Sequence, residues 1–154
     1  MFTKTLHSAM ATPSRCVKSR QGFSIMSVYE FFERPMQRIL LAEDDQSMRR
    51  FLVGALERAG YAVAAFPDGA QAYRCLQQEP FTLLLTDIVM PEMDGIELAR
   101  RASEIDPSIK IMFITGFAGV TLNTDDSAPK DAKVLSKPFH LKDLVREVDR
   151  LLAA

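Results

Sequence analysis

The sequence predicts an α/β domain, doubly wound, with five parallel strands in one sheet and about five helices flanking it. Three observations carry that prediction. Short continuous apolar runs alternate five times with stretches of helical period. The connections between them are short. The strand runs are apolar throughout rather than alternating, as strands covered on both faces are.

Ile39-Leu40-Leu41-Ala42 is the first such run and stops abruptly at Glu43-Asp44-Asp45. Met48, Phe51, Leu52, Ala55 and Leu56 then recur at helical spacing, and Gly60 stands where a C′ glycine belongs. Tyr61 to Phe66 reads as the second strand, closed by Pro67-Asp68-Gly69, and Ala70 to Gln78 as a helix stopped before Pro80. Phe81 to Thr86 is the third and most apolar strand, ending in Asp87. Gly95 to Ile105 is helical with Ile96, Leu98, Ala99 and Ala102 inward, and Pro107 follows it. Ile109 to Ile114 is the fourth strand. After Ala118 the chain reads as a loop through Pro129, which leaves the fourth helix one or two turns from about Phe117. Lys133 to Ser136 is a short fifth strand. Leu141 to Leu152 is the last helix, with Leu141, Leu144, Val145, Val148 and Leu152 on one face.

The chain has 154 residues, 47% of them apolar and 25% charged, enough for one domain with a full-sized core. No apolar stretch approaches the ~18 residues of a membrane helix. The longest candidate, Ile111 to Leu122, is interrupted by Thr115, Gly116 and Gly119. Two cysteines make no disulfide framework, so the reducing cytoplasm is the expected compartment. A net charge of −1 gives no reason to expect nucleic acid or a membrane surface as partner.

That charge is unevenly spread. Residues 1–35 hold five basic and two acidic residues, +3, leaving 14 basic and 18 acidic residues, −4, for 36–154. The first 29 residues contain no acid and show no sustained apolar period, so 1–35 is expected to be a disordered extension. Three origins fit it: translation starting at Met36, a short functional tail, or a transit-type targeting segment. The folded domain is expected to be 36–154.

Polar residues gather at strand ends. In an open α/β sheet, ligands bind beyond the carboxyl ends of the strands. Strand one ends in Glu43-Asp44, strand three in Asp87, strand four in Thr115, and strand five in Lys137 before Pro138. If strands one and three are neighbours, three carboxylates converge. At ~5 Å and an effective dielectric of 20, each like-charge pair costs on the order of 3 kcal/mol, so a carboxyl stays protonated or a cation is bound. A few hard oxygen ligands suit Mg²⁺. Any one of these acids alone would read as a solvated loop residue; acids, a hydroxyl and a lysine at four strand ends argue for a site. Asp45 and Asp94 read instead as helix caps or turn residues.

Glu43-Asp44, Asp87 within Leu83-Leu-Leu-Thr-Asp-Ile-Val-Met-Pro-Glu-Met-Asp-Gly95, Thr115-Gly116 and Lys137-Pro138-Phe139 together resemble the receiver domain of two-component response regulators. The resemblance covers about residues 37–152 and implies a flavodoxin-like sheet of strand order 2-1-3-4-5. It implies a regulatory domain rather than an enzyme, with Asp87 accepting a phosphoryl group from a histidine kinase or histidine phosphotransferase. It also implies Mg²⁺ held by Asp44, Glu43, Asp87 and the Val89 backbone carbonyl. Thr115 and Lys137 would hold phosphoryl oxygens, and Met90, Pro91, Gly95 and a cis Lys137–Pro138 bond would support the surrounding loops.

Arg38 to Arg50, Phe81 to Arg101 and Lys133 to His140 are similar, more narrowly, to stand-alone alphaproteobacterial receivers that act with the ClpXP protease. That implies phosphorylation-controlled proteolysis of cargo proteins, including cell-cycle regulators, through ClpX; a phosphorelay intermediate or another protein effector is the alternative. The ending Leu152-Ala153-Ala154 resembles a ClpX recognition tail, although a fraying helix end explains it as simply.

One departure stands out: Val134 occupies a position where such domains often carry an aromatic residue. The switch is then expected to run through the loop Thr121 to Pro129. A haloacid-dehalogenase-like phosphatase needs a second Asp where Val89 stands. An operator-binding regulator needs a recognition helix that the chain does not show.

Overall fold

The structure is a computed structural model and describes residues 36–116 and 128–153. Five strands form one parallel sheet in the order β2-β1-β3-β4-β5: β1 Arg38–Ala42, β2 Ala62–Phe66, β3 Leu83–Asp87, β4 Lys110–Thr115 and β5 Lys133–Ser136. Four helices are present among the described residues: α1 Gln46–Arg58, α2 Gly69–Leu76, α3 Gly95–Ile105 and α4 Leu141–Ala153. The short helix expected from about Phe117, the extension 1–35 and most of the loop from Thr121 to Pro129 lie outside the described residues.

Period-two alternation along the strands divides the core between the two faces. Leu40, Ala42, Leu84, Ile111 and Phe113 point to one face, where Ala72 and Leu76 of α2 and Leu98, Ala99 and Ala102 of α3 cover them. Ile39, Leu41, Leu83, Leu85, Met112 and Ile114 point to the other, under Leu52 and Leu56 of α1 and Leu144 and Val148 of α4. Every residue of β3 is buried, as the sequence leads one to expect of the central strand. Each fully buried Leu or Ile contributes roughly 1.5–3 kcal/mol by leaving water.

Element ends show local chemistry at work. The Asp45, Asp68 and Asp94 carboxylates cap α1, α2 and α3, accepting from Met48 N, Gln71 N and Glu97 N, so Asp45 and Asp94 are the caps their positions suggested. The cap at Asp68 starts α2 at Gly69. Gly60 has φ +96°, a conformation for which glycine carries no Cβ penalty.

β3 begins at Leu83 rather than Phe81 and α2 ends at Leu76 rather than Gln78, and two further expectations shift for a local reason. Tyr61 is not in β2, because its N–H donates to Leu56 O at 3.1 Å and completes the end of α1. Phe51 is 64% exposed rather than inward, because Leu52, Ala55 and Leu56 already fill the strip facing the sheet.

Candidate functional site

At the carboxyl edge of the sheet, the crossover between β1 and β3 brings their ends side by side, Ala42 opposite Thr86. Glu43 follows β1 directly and its side chain is fully buried, whereas Asp44 is exposed. Asp87 ends β3 and is 8% exposed. Carboxylate oxygens of Glu43, Asp44 and Asp87 lie within 4.8 Å of one another. The convergence expected from the sequence is therefore present.

Lys137 reaches into this cluster from the far side. Its Nζ donates to Asp87 Oδ2 at 2.8 Å and to Glu43 Oε2 at 3.0 Å. Burial pushes the Glu43 carboxyl up from its ordinary range, against the Lys137 and Asp45 N–H bonds that favour its charge. Burial likewise works against the Lys137 ammonium, but its bonds to Asp87 and Glu43 outweigh burial and raise its pKa. Glu43 Oε1 accepts from Asp45 N at 3.1 Å, and Asp87 Oδ1 accepts from Val89 N at 3.3 Å.

One ammonium does not balance three carboxylates. The donor set is all oxygen, small in number and open to solvent at Asp44, which fits a hard divalent cation of the Mg²⁺ type.

The remaining predicted residues take separate places. Thr115 ends β4, 1% exposed, and its carbonyl accepts from Lys137 N at 2.7 Å. The Lys137–Pro138 bond is cis. Met90 is buried in the core on the α2–α3 side, Pro91 is exposed, and the Val89 side chain is 56% exposed. Gly95 is required by space: a Cβ there would stand 2.0 Å from Asp87 O, and Gly95 N donates to Ile88 O at 2.8 Å. This close approach pins the start of α3 to the strand end that carries Asp87. Val134 is 41% exposed on the edge strand β5. Ala153 is the last residue of α4, and Ala154 is outside the described residues.

Two contributors escaped the sequence reading. Thr86 Oγ1 donates to Asp87 O at 2.8 Å. Arg49 Nη1 donates to the main-chain carbonyls of Glu43 at 2.6 Å and Asp44 at 3.3 Å. In sequence Arg49-Arg50 looks like a solvated helix face; the only signal was its place one helical turn after the acids.

Residues 39–149 match the response regulator receiver domain family. Over 119 residues the chain is 74% identical to the response regulator receiver protein CpdR of Brucella abortus (strain 2308), covering 77% of this chain and 99% of that one. It is 36% identical over 118 residues to the sensor kinase CckA of the same organism, covering 74% of this chain and 12% of the kinase. Among solved structures, a response regulator receiver protein from Sinorhizobium medicae WSM419 superposes with a TM-score of 0.71 at 34% identity. That alignment covers 77% of this chain and 96% of the other. The sheet order, the strand-end acids and these likenesses agree: the chain belongs to the response regulator receiver domain family.

Proposed function

We propose that this receiver is a phosphoryl switch that controls proteolysis through protein–protein contact. Its acceptor is Asp87, and the observation that carries the reading is the lysine-bridged carboxylate cluster at the ends of β1 and β3. A carboxylate oxygen of Asp87 attacks the phosphorus of a phosphohistidine on a histidine kinase or histidine phosphotransferase. The new O–P bond replaces the N–P bond, and the histidine nitrogen leaves. Such transfer depends on alignment and charge stabilisation rather than on an acid–base apparatus. Mg²⁺, held by Glu43, Asp44, Asp87 and the Val89 carbonyl, supplies charge neutralisation for the phosphoryl oxygens when bound. Lys137 is already on Asp87 Oδ2, so it can follow the arriving oxygens; the Thr115 hydroxyl takes another.

The 74% identity to CpdR supports a stand-alone regulator; with the resemblance carried by Arg38 to Arg50, Phe81 to Arg101 and Lys133 to His140, we read it as working in the cytoplasm with ClpX, and through ClpXP on cargo proteins. Ala153 and Ala154 would then form the recognition tail that makes the protein a client as well.

Labelling by acetyl phosphate with Mg²⁺ tests the acceptor. Wild type is expected to become labelled, Asp87→Ala to lose labelling, and Asp44→Asn to lose most of it. Undiminished labelling of Asp87→Ala would falsify the assignment. Comparing the proteins captured by wild type and Asp87→Ala, with and without phosphodonor, tests the ClpX contact.

A further inference from the structure

Arg49 bonds to both acid-bearing residues at the end of β1 without touching either carboxylate. Its Nη1 donates to Glu43 O at 2.6 Å and to Asp44 O at 3.3 Å. Its own N–H donates to Asp45 O at 2.8 Å in the first turn of α1. The Asp45 carboxylate is occupied by the N–H of Met48 at 2.7 Å, as the cap of that helix. The half-buried Arg49 side chain therefore ties the first turn of α1 back onto the strand end from which Glu43 and Asp44 project.

A chain leaving a strand has carbonyl groups without ladder partners, and here one guanidinium meets two in succession. Main-chain position at Glu43 and Asp44 sets where their carboxylates stand relative to Asp87. Groups that hold metal ligands in place commonly matter nearly as much as the ligands do.

We infer that Arg49 is a positioning residue for the acidic cluster. It fixes the Glu43–Asp44 main chain and through it sets cation affinity and phosphoryl acceptance. This role rests on the reading of Glu43, Asp44 and Asp87 as a Mg²⁺ site.

The sign of the effect separates position from charge. A guanidinium beside an acidic cluster repels a divalent cation, so its charge acting alone would make Mg²⁺ bind more tightly once Arg49 is removed. A positioning role makes Mg²⁺ bind more weakly. Arg50 is the natural control, because it is exposed and lies in the same turn of α1.

The experiment is a Mg²⁺ titration by calorimetry on the full chain, with Tm measured in EDTA and in Mg²⁺. Arg49→Gln is expected to weaken Mg²⁺ binding about tenfold, and Arg50→Gln to leave it unchanged or slightly tighter. Arg49→Lys keeps the charge but replaces the planar fork by a single ammonium, so it is expected to fall between wild type and Arg49→Gln. It also serves as the second variant if Arg49→Gln does not fold. Mg²⁺ affinity in Arg49→Gln equal to or tighter than wild type would overturn the role, whatever the Tm in EDTA. If wild type itself binds no Mg²⁺ while folded, the reading of the acids as a metal site fails, and this role with it.

Discussion

Fifty residues apart in the chain, the Lys137 ammonium stands 2.8 Å from Asp87 Oδ2, and the same nitrogen reaches Glu43 Oε2 at 3.0 Å. Only the strand order makes this possible, since β1, β3 and the segment after β5 end on the same edge of the sheet. The contact keeps two nearly buried carboxylates compatible with folding. The Lys137 side chain keeps partial contact with solvent, at 23% exposed.

Removing the ammonium exposes that dependence. Breaking a buried ion pair by deleting one partner costs 3–5 kcal/mol at full burial, and partial exposure reduces it. Lys137→Met at pH 7 in EDTA is expected to be about 1–3 kcal/mol less stable than wild type in urea unfolding. Millimolar Mg²⁺ should restore most of the loss, because a cation can take over the neutralisation. A loss that Mg²⁺ leaves untouched would argue that packing of the lysine stem, not charge, is what matters.

Two glycines give opposite expectations. Gly95→Ala drives a methyl group against the Asp87 carbonyl and is expected to cost about 1–3 kcal/mol, with slower labelling at Asp87. Gly54→Ala lies within α1, where the added Cβ meets only the tip of Arg58 at 3.6 Å. It is expected to be neutral or to stabilise by about 0.5–1 kcal/mol through helix propensity. Thermal melts of the two variants beside wild type decide the matter.

Acid stability should carry the signature of Glu97. Its carboxyl, bonded by Arg100 and Arg101 on the surface of α3, is lowered to about 2 from an ordinary 4.5. A carboxyl depressed in the folded state stabilises it above the unfolded pKa and loses that contribution as pH falls through the folded pKa. Wild type is therefore expected to lose stability between about pH 4.5 and 2 more steeply than Glu97→Gln. Parallel curves for the two proteins over that window would remove Glu97 from the account. Exposure keeps the effect small and salt-sensitive.

The chain end gives a cellular test. Leu152 is half-buried against the core under α1 and α4, while Ala153 is exposed; on the proposed reading, capture requires only that Ala153 leave the helix end, at little cost. Ala153→Asp/Ala154→Asp is expected to lengthen half-life in cells with active ClpXP, without changing phosphorylation at Asp87. Equal half-lives in a pulse-chase would leave a simple helix end.

The order of elements was legible in the sequence because it depends on local geometry. A continuous apolar run such as Leu83-Leu84-Leu85 suits a strand covered on both faces, and Asp45, Asp68 and Asp94 act on N–H groups three residues away. The converging acids were legible for a related reason: a charged residue directly after a buried strand must stand at the sheet edge, whereas the acceptor role of Asp87 came only from the likeness to receiver domains. Three things required the tertiary structure. Phe51 shares the helical period of the α1 core residues, yet faces solvent because Leu52, Ala55 and Leu56 already fill the space beneath the helix. Lys137 meets Glu43 across 94 positions only because parallel pairing sets the register of each strand on its neighbour. Arg49 turns back onto the carbonyls of Glu43 and Asp44 because the path of the chain from β1 into α1 leaves those groups without ladder partners. Periodicity constrains which side of an element a residue occupies. Which groups then meet depends on how the elements are laid against one another, because hydrogen bonds and ion pairs act over a few ångströms in space, however far apart their partners lie in the chain.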